Sequence, residues 1–128
     1  MQEYSENEIS KIVLNASIKV HRNLGSGLLE NAYHKCLTYE LMKQNLNIET
    51  EKALPLIYED VKLEAGYRLD IFVNKKVVIE IKAVEALNDV HLAQTLTYLK
   101  LSDCKLGLLI NFNVALLKNG FRRVVNNL

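Results

Sequence analysis

Asp70, Glu80 and Lys82 are the residues whose types and spacing best fit chemistry. They lie in two runs rich in β-branched and aromatic residues, Gly66–Val73 and Val77–Val84, separated only by Asn74-Lys75-Lys76. Such a pattern predicts a β-hairpin. A loop of Asn74 to Lys76 pairs Val73 with Val77, and counting outward sets Asp70 opposite Glu80 and Arg68 opposite Lys82. Because side chains alternate across a strand, Asp70, Glu80 and Lys82 should share one face while Leu69, Ile71, Ile79 and Ile81 fill the other. A one-residue slip would separate the carboxylates. Two opposed carboxylates repel unless something cationic neutralises them. Hard oxygen ligands suit Mg²⁺ or Mn²⁺, which take one or two carboxylates and complete their shell with water and phosphate oxygens. Beside such a cation, Lys82 can steer a hydroxide nucleophile or stabilise charge building on a pentacovalent phosphate. The same residues also fit a solvated sheet face on which Arg68 and Lys82 simply pair with Asp70 and Glu80.

Two helical segments add polar residues where apolar ones are expected. Glu30 precedes Tyr33, His34 and Leu37 at helical spacing, which places it on a face that should pack inward. A carboxylate there needs a partner, although a first-turn acid is also favoured by the helix dipole. Further along, His91, Gln94, Tyr98 and Leu101 form a second stripe at helical spacing.

The elements that must position these residues follow from periodicity. Apolar steps at Ile9, Ile12, Val13, Ala16 and Val20 predict a helix from Glu6 to about Asn23, with Ser5 or Asn7 as N-cap. Gly25-Ser26-Gly27 interrupts it before a second helix from Leu28 to about Gln44. The stretch from Ile48 to Tyr58, with Pro55 inside it, predicts an edge strand. After the hairpin, a helix over about Leu87–Leu101 and a buried strand over Gly107–Phe112 are expected, while the basic tail from Leu116 stays ambiguous. This order calls for a mixed sheet with helices on both faces.

Composition narrows the classes. The chain has 128 residues, 49% hydrophobic and 24% charged, which suits one compact domain over residues 1–128. Sixteen basic residues against fifteen acidic ones leave a net charge of +1, which excludes a globally polybasic protein and confines any nucleic-acid contact to local patches. Candidates for such a patch are Arg68, Lys62 and the tail cluster Lys118, Arg122 and Arg123. No apolar run approaches the length of a membrane span, and the acidic start resembles neither a signal nor a transit peptide, so a cytoplasmic location is the expectation. Cys36 and Cys104 lack metal-ligand spacing and read as reduced core thiols.

Taken together, these segments resemble the PD-(D/E)XK nuclease superfamily, and within it the bacterial group named for a GxxExxY signature. Gly27-Leu28-Leu29-Glu30-Asn31-Ala32-Tyr33 reads as G-x-x-E-x-x-Y, Arg68-Leu69-Asp70 as the aspartate strand, and Glu80-Ile81-Lys82 as E-x-K. Gln94 to Tyr98 reads as Q-x-x-x-Y, and Gly107 to Phe112 resembles the group's GLLINF strand. Leu69 stands where the superfamily name has proline. The resemblance implies a three-layer, restriction-endonuclease-like α/β fold with an αβββαβ core and a mixed central sheet flanked by helices. It further implies that Asp70, Glu80 and the Ile81 carbonyl hold Mg²⁺ or Mn²⁺, that Lys82 serves the nucleophilic water, and that Glu30 completes the acidic cluster. Gln94 and Tyr98 would orient the site or touch the strand, Tyr33 and Tyr98 offer rings for unpaired bases, and DNA is the expected substrate. The competing expectation is a catalytically silent module of the same fold that binds nucleic acid or protein. A homodimer through exposed strand edges is compatible with the neutral composition.

Overall fold

The computed structural model describes residues 3–128. Helix α1 (Glu6–Leu24) starts on a capping box: Ser5 Oγ accepts from Glu8 N–H at 3.1 Å, and Glu8 Oε1 accepts from Ser5 N–H at 2.8 Å. Ile9, Val13, Ala16 and Val20 form its buried stripe, as the periodicity predicts. Helix α2 (Glu30–Met42) follows a glycine-containing loop and buries Tyr33, Leu37 and Leu41.

Strands β1 (Ile48–Ala53), β4 (Arg68–Val73), β5 (Val77–Lys82), β6 (Leu106–Asn111) and β7 (Phe121–Val125) make one sheet in the order β1-β4-β5-β6-β7. Only β5 and β6 run parallel, joined by the crossover helix α3 (Asp89–Ser102), so the sheet is mixed. The α1 and α2 stripes pack with Ile71, Val73, Ile79, Ile81, Leu108 and Ile110. On the other face, α3 brings Tyr98 and Leu99 to Phe72 and Val78. Gly107 permits that contact, because a Cβ there would stand 2.9 Å from Thr95 Cγ2.

Two sequence expectations need correction, and the ambiguous tail is resolved. The extended stretch Ile48–Tyr58 is not one edge strand: it breaks at Leu54-Pro55, and β2 (Leu56–Tyr58) turns back through Glu59 and Asp60 to pair with β3 (Val61–Leu63) as a separate hairpin. Proline has no N–H for a ladder, and Glu59 and Asp60 both adopt positive φ, as a tight hairpin turn requires. The tail resolves into a 3-10 helix (Leu117–Gly120) and β7, antiparallel to β6. Its exposed Arg122 and Arg123 hide that strand from a reading based on apolar runs. Finally, Leu69 does not join Ile71 on the α1–α2 side but packs with Phe72 and Val78 on the α3 side. The β1–β4 ladder skips the Glu51–Asp70 step, where Glu51 has φ +50°, and strict alternation fails across that break.

No described helix is long and apolar enough to cross a membrane. Cys36 and Cys104 are both free thiols, half-buried and buried respectively.

Candidate active site

The hairpin has the register its loop dictates. Val73 pairs with Val77, Phe72 with Val78 and Ile71 with Ile79, and Asn74 and Lys75 take the left-handed conformations of the turn. Beyond Ile71 and Ile79 the regular ladder ends, and side chains replace main chain. Asp70 N–H donates to Glu80 Oε2 at 3.0 Å, and Ile81 N–H donates to Asp70 Oδ2 at 2.8 Å. Each carboxyl is thereby held by the backbone of the other's strand. The ladder stops before Arg68 can oppose Lys82: Arg68 pairs with Ala53 of β1, and Lys82 with Asn111 of β6.

This arrangement is electrostatically costly. Glu80 is only 4% exposed. Burial first, and then the neighbouring Asp70 carboxyl, push its pKa from 4.5 up to about 8, against the opposing pull of the Asp70 N–H and the Lys82 ammonium. Burial likewise raises Asp70, while the Ile81 N–H, His34 and Lys82 act in the other direction. Among the described residues Lys82 makes no ion pair within 4 Å, yet its charge acts on Glu30, Asp70 and Glu80 together. A dense acidic pair with one nearby ammonium is the situation that a divalent cation relieves, and the donors are the hard oxygens that Mg²⁺ and Mn²⁺ prefer. The residues therefore fit such an ion.

Glu30 opens α2 and is exposed, not part of the buried stripe its spacing suggests. Its carboxyl nevertheless feels the charges of Lys82 and Asp70. Desolvation raises its pKa, with Lys82, Asp70, His34 and His91 all acting on it. The loop that launches α2 is fastened by Tyr33, whose hydroxyl donates to Gly25 O at 2.7 Å and accepts from Leu28 N–H at 3.1 Å. Gly27 in that loop has φ +94°, a conformation that favours glycine. Tyr33 is fully buried and stacked on Phe112 at 4.7 Å, so its ring is out of reach of a nucleic-acid base. Its two hydrogen bonds hold the loop that leads into Glu30.

Helix α3 borders the same site. Its N-terminus is closed by Asn88 and His91, whose Nδ1 accepts from Asn88 N–H at 3.1 Å. Gln94 is half-buried on this helix. Tyr98 is buried, 6% exposed, and lies tilted against Tyr67 at 5.9 Å between ring centres. Burial, followed by the charges of Glu80, Tyr67 and Asp70, raises its hydroxyl pKa to about 12, so Tyr98 is a neutral phenol. Being buried, it presents little ring surface to an unpaired base. Arg68 is exposed and donates to Glu51 O at 3.3 Å.

Several participants escape a sequence reading. Asn111, buried beside Lys82, accepts from Val84 N–H at 3.1 Å and donates to Val84 O at 3.0 Å, so it fixes the chain as it leaves the E-x-K strand. His34 of α2 and Glu51 of β1 converge on Asp70, with one potential ligand atom from each of the three residues within 4.8 Å of the others. Only its helical spacing to Glu30 hints at His34. Nothing local marks Glu51.

Comparison with known proteins gives one result. No curated protein and no solved structure matched the chain. A family model described as the PD-(D/E)XK nuclease superfamily matches residues 7–124, which span the acidic pair, Lys82 and all the elements that position them. The five-stranded mixed sheet flanked by helices agrees with the restriction-endonuclease-like fold of that superfamily. On this match and this architecture, the chain belongs to the PD-(D/E)XK nuclease superfamily.

Proposed function

We propose that the protein is a metal-dependent nuclease of the GxxExxY group that hydrolyses phosphodiester bonds in DNA. The observation that carries this reading is the buried Glu80 carboxyl held against Asp70, with Lys82 as the nearby cation. A fold selected only for stability would replace one of two mutually repelling acids, one half-buried and one buried.

In the reading, Asp70, Glu80 and the Ile81 carbonyl hold the ion and Glu30 completes the acidic cluster. Bound Mg²⁺ or Mn²⁺ would supply Lewis acidity toward the scissile phosphate and make water a stronger nucleophile at neutral pH. Lys82 donates a hydrogen bond that orients the attacking oxygen and offsets negative charge on the phosphate as its bond to the leaving sugar oxygen breaks. Gln94 and Tyr98 line the α3 side and orient these groups. Arg68, exposed at the start of β4, contacts a phosphate flanking the reacting one.

The test is incubation of the full chain with Mg²⁺ or Mn²⁺ and four DNAs, namely linear and circular in single- and double-stranded form. Cleavage by the wild type that is absent with Glu80→Gln supports the reading, and the contrast between linear and circular substrates reports whether an end is needed. A folded, cation-binding protein that leaves all four DNAs intact overturns it in favour of a silent binding module.

A further inference from the structure

We infer that this chain has a second cation position at Asp70, with His34 as a nitrogen ligand and Glu51 as an oxygen ligand, and that Mn²⁺ occupies it in preference to Mg²⁺. The inference rests on the reading of Asp70 and Glu80 as a cation site, and it concerns different residues.

Three elements that are distant in sequence meet there: α2 through His34, β1 through Glu51 and β4 through Asp70. His34 Nε2 stands 2.9 Å from the Asp70 carbonyl oxygen and 3.5 Å from Glu51 Oε1. Two donors at right angles around a small dication at roughly 2.1 Å stand about 3.0 Å apart, so these separations suit a shared ion with little rearrangement. The Ile81 N–H occupies Asp70 Oδ2, and no hydrogen bond among the described residues reaches Oδ1. Oδ1 of Asp70 is thus available to an ion. Two of the three ligands, His34 and Glu51, also line a cleft of about 250 Å³ with Asn31, Lys35, Thr38 and Thr50, which has room for waters on their side of the cluster. The backbone converges on the same spot. The β1–β4 ladder is interrupted only at Glu51–Asp70, where Glu51 takes φ +50°.

The donor set decides the metal. Mg²⁺ is served best by oxygen alone, whereas one imidazole among oxygens raises affinity for first-row transition dications. For binding, the Nε2 lone pair must face the ion, so the ring proton sits on Nδ1 and the Asp70 carbonyl turns from hydrogen-bond acceptor to a further ligand.

The test uses the full chain loaded with Mn²⁺, read by pulsed electron paramagnetic resonance and by equilibrium binding. The expected result is a ¹⁴N coupling of directly bound imidazole on the Mn²⁺ signal, lost in His34→Gln and retained in Glu80→Gln, with binding falling from about two equivalents per chain to about one in His34→Gln/Glu51→Gln. Mg²⁺ in excess should displace the ion near Glu80 before the one that carries the nitrogen signal. A wild-type signal without nitrogen coupling overturns the inference and leaves the Asp70–Glu80 site standing. Coupling that survives His34→Gln also overturns it, since another histidine would then be the ligand. Coupling that persists while Glu80→Gln leaves stoichiometry unchanged supports this position and counts against the ion placement at Glu80. Circular dichroism of each variant guards against loss of fold.

Discussion

Glu80→Gln removes one charge from the acidic pair and keeps its shape. The amide oxygen can still accept from Asp70 N–H, so the 3.0 Å hydrogen bond survives and the change is electrostatic. In the metal-free protein the Glu80 pKa is about 8, against 4.5 for an ordinary glutamate. As pH rises from 4.5, the unfolded chain releases this proton before the folded one does. The stability that the raised pKa contributes is therefore fully present below pH 4.5 and is lost progressively as pH rises toward 8. A difference of about 3.5 in pKa at 1.36 kcal/mol each bounds the loss at about 5 kcal/mol, and sharing of the proton with Asp70 brings it nearer 3 kcal/mol. Metal-free Glu80→Gln should thus equal the wild type in stability near pH 4.5 and exceed it by about 3 kcal/mol at pH 8. For a chain of this length that corresponds to a Tm higher by roughly 10 °C. Taking the difference between variant and wild type at each pH cancels the titration of the other groups. Added Mg²⁺ at about one hundred times its Kd should then stabilise the wild type by about 2.7 kcal/mol and the variant by much less. Thermal melts in chelator from pH 4.5 to 8, repeated with Mg²⁺, read both effects. A difference that is flat with pH, or a variant less stable at pH 8, would refute the electrostatic reasoning.

Other perturbations separate positioning from chemistry. Tyr33→Phe keeps the stack on Phe112 but leaves Leu28 N–H and Gly25 O without the hydroxyl, which should cost about 1 to 2 kcal/mol in a urea titration and speed amide exchange at Leu28. Gly27→Ala forces a side chain into φ +94° with no atom within 4 Å to clash, so the cost should be conformational only, about 1 kcal/mol by chemical denaturation. Asn111→Ala strips both bonds from Val84 inside the protein and should cost about 2 to 4 kcal/mol, measured the same way, while also loosening Lys82.

Much of the site was legible because its parts are local. The turn Asn74–Lys76 between two β-branched runs determines the hairpin register, and the register sets Asp70 against Glu80. The capping and apolar stripe of α1 and the crossover through α3 follow from periodicity in the same way. What escaped depends on tertiary placement. Leu69 changes side because the β1–β4 ladder is interrupted at Asp70, an event decided by β1 as much as by β4. The β2–β3 hairpin hid because its side chains are half-buried or exposed, so no core face imposes an alternating pattern. Tyr33 looked available as a stacking ring, whereas burial and two hydrogen bonds commit it to the loop before Glu30. His34 and Glu51 meet only after α2 and β1 have docked on β4.

The most direct test of the central claim separates ion binding from bond breaking at Lys82. Removing its ammonium from beside three carboxyls should leave cation binding intact or tighter, since only repulsion of the ion is lost. Calorimetric titration of Mg²⁺ and single-turnover cleavage of DNA, measured on the wild type and Lys82→Ala, should show binding retained in both and cleavage only in the wild type. Cleavage by Lys82→Ala at the wild-type rate would contradict the account, as would a wild type that binds no cation.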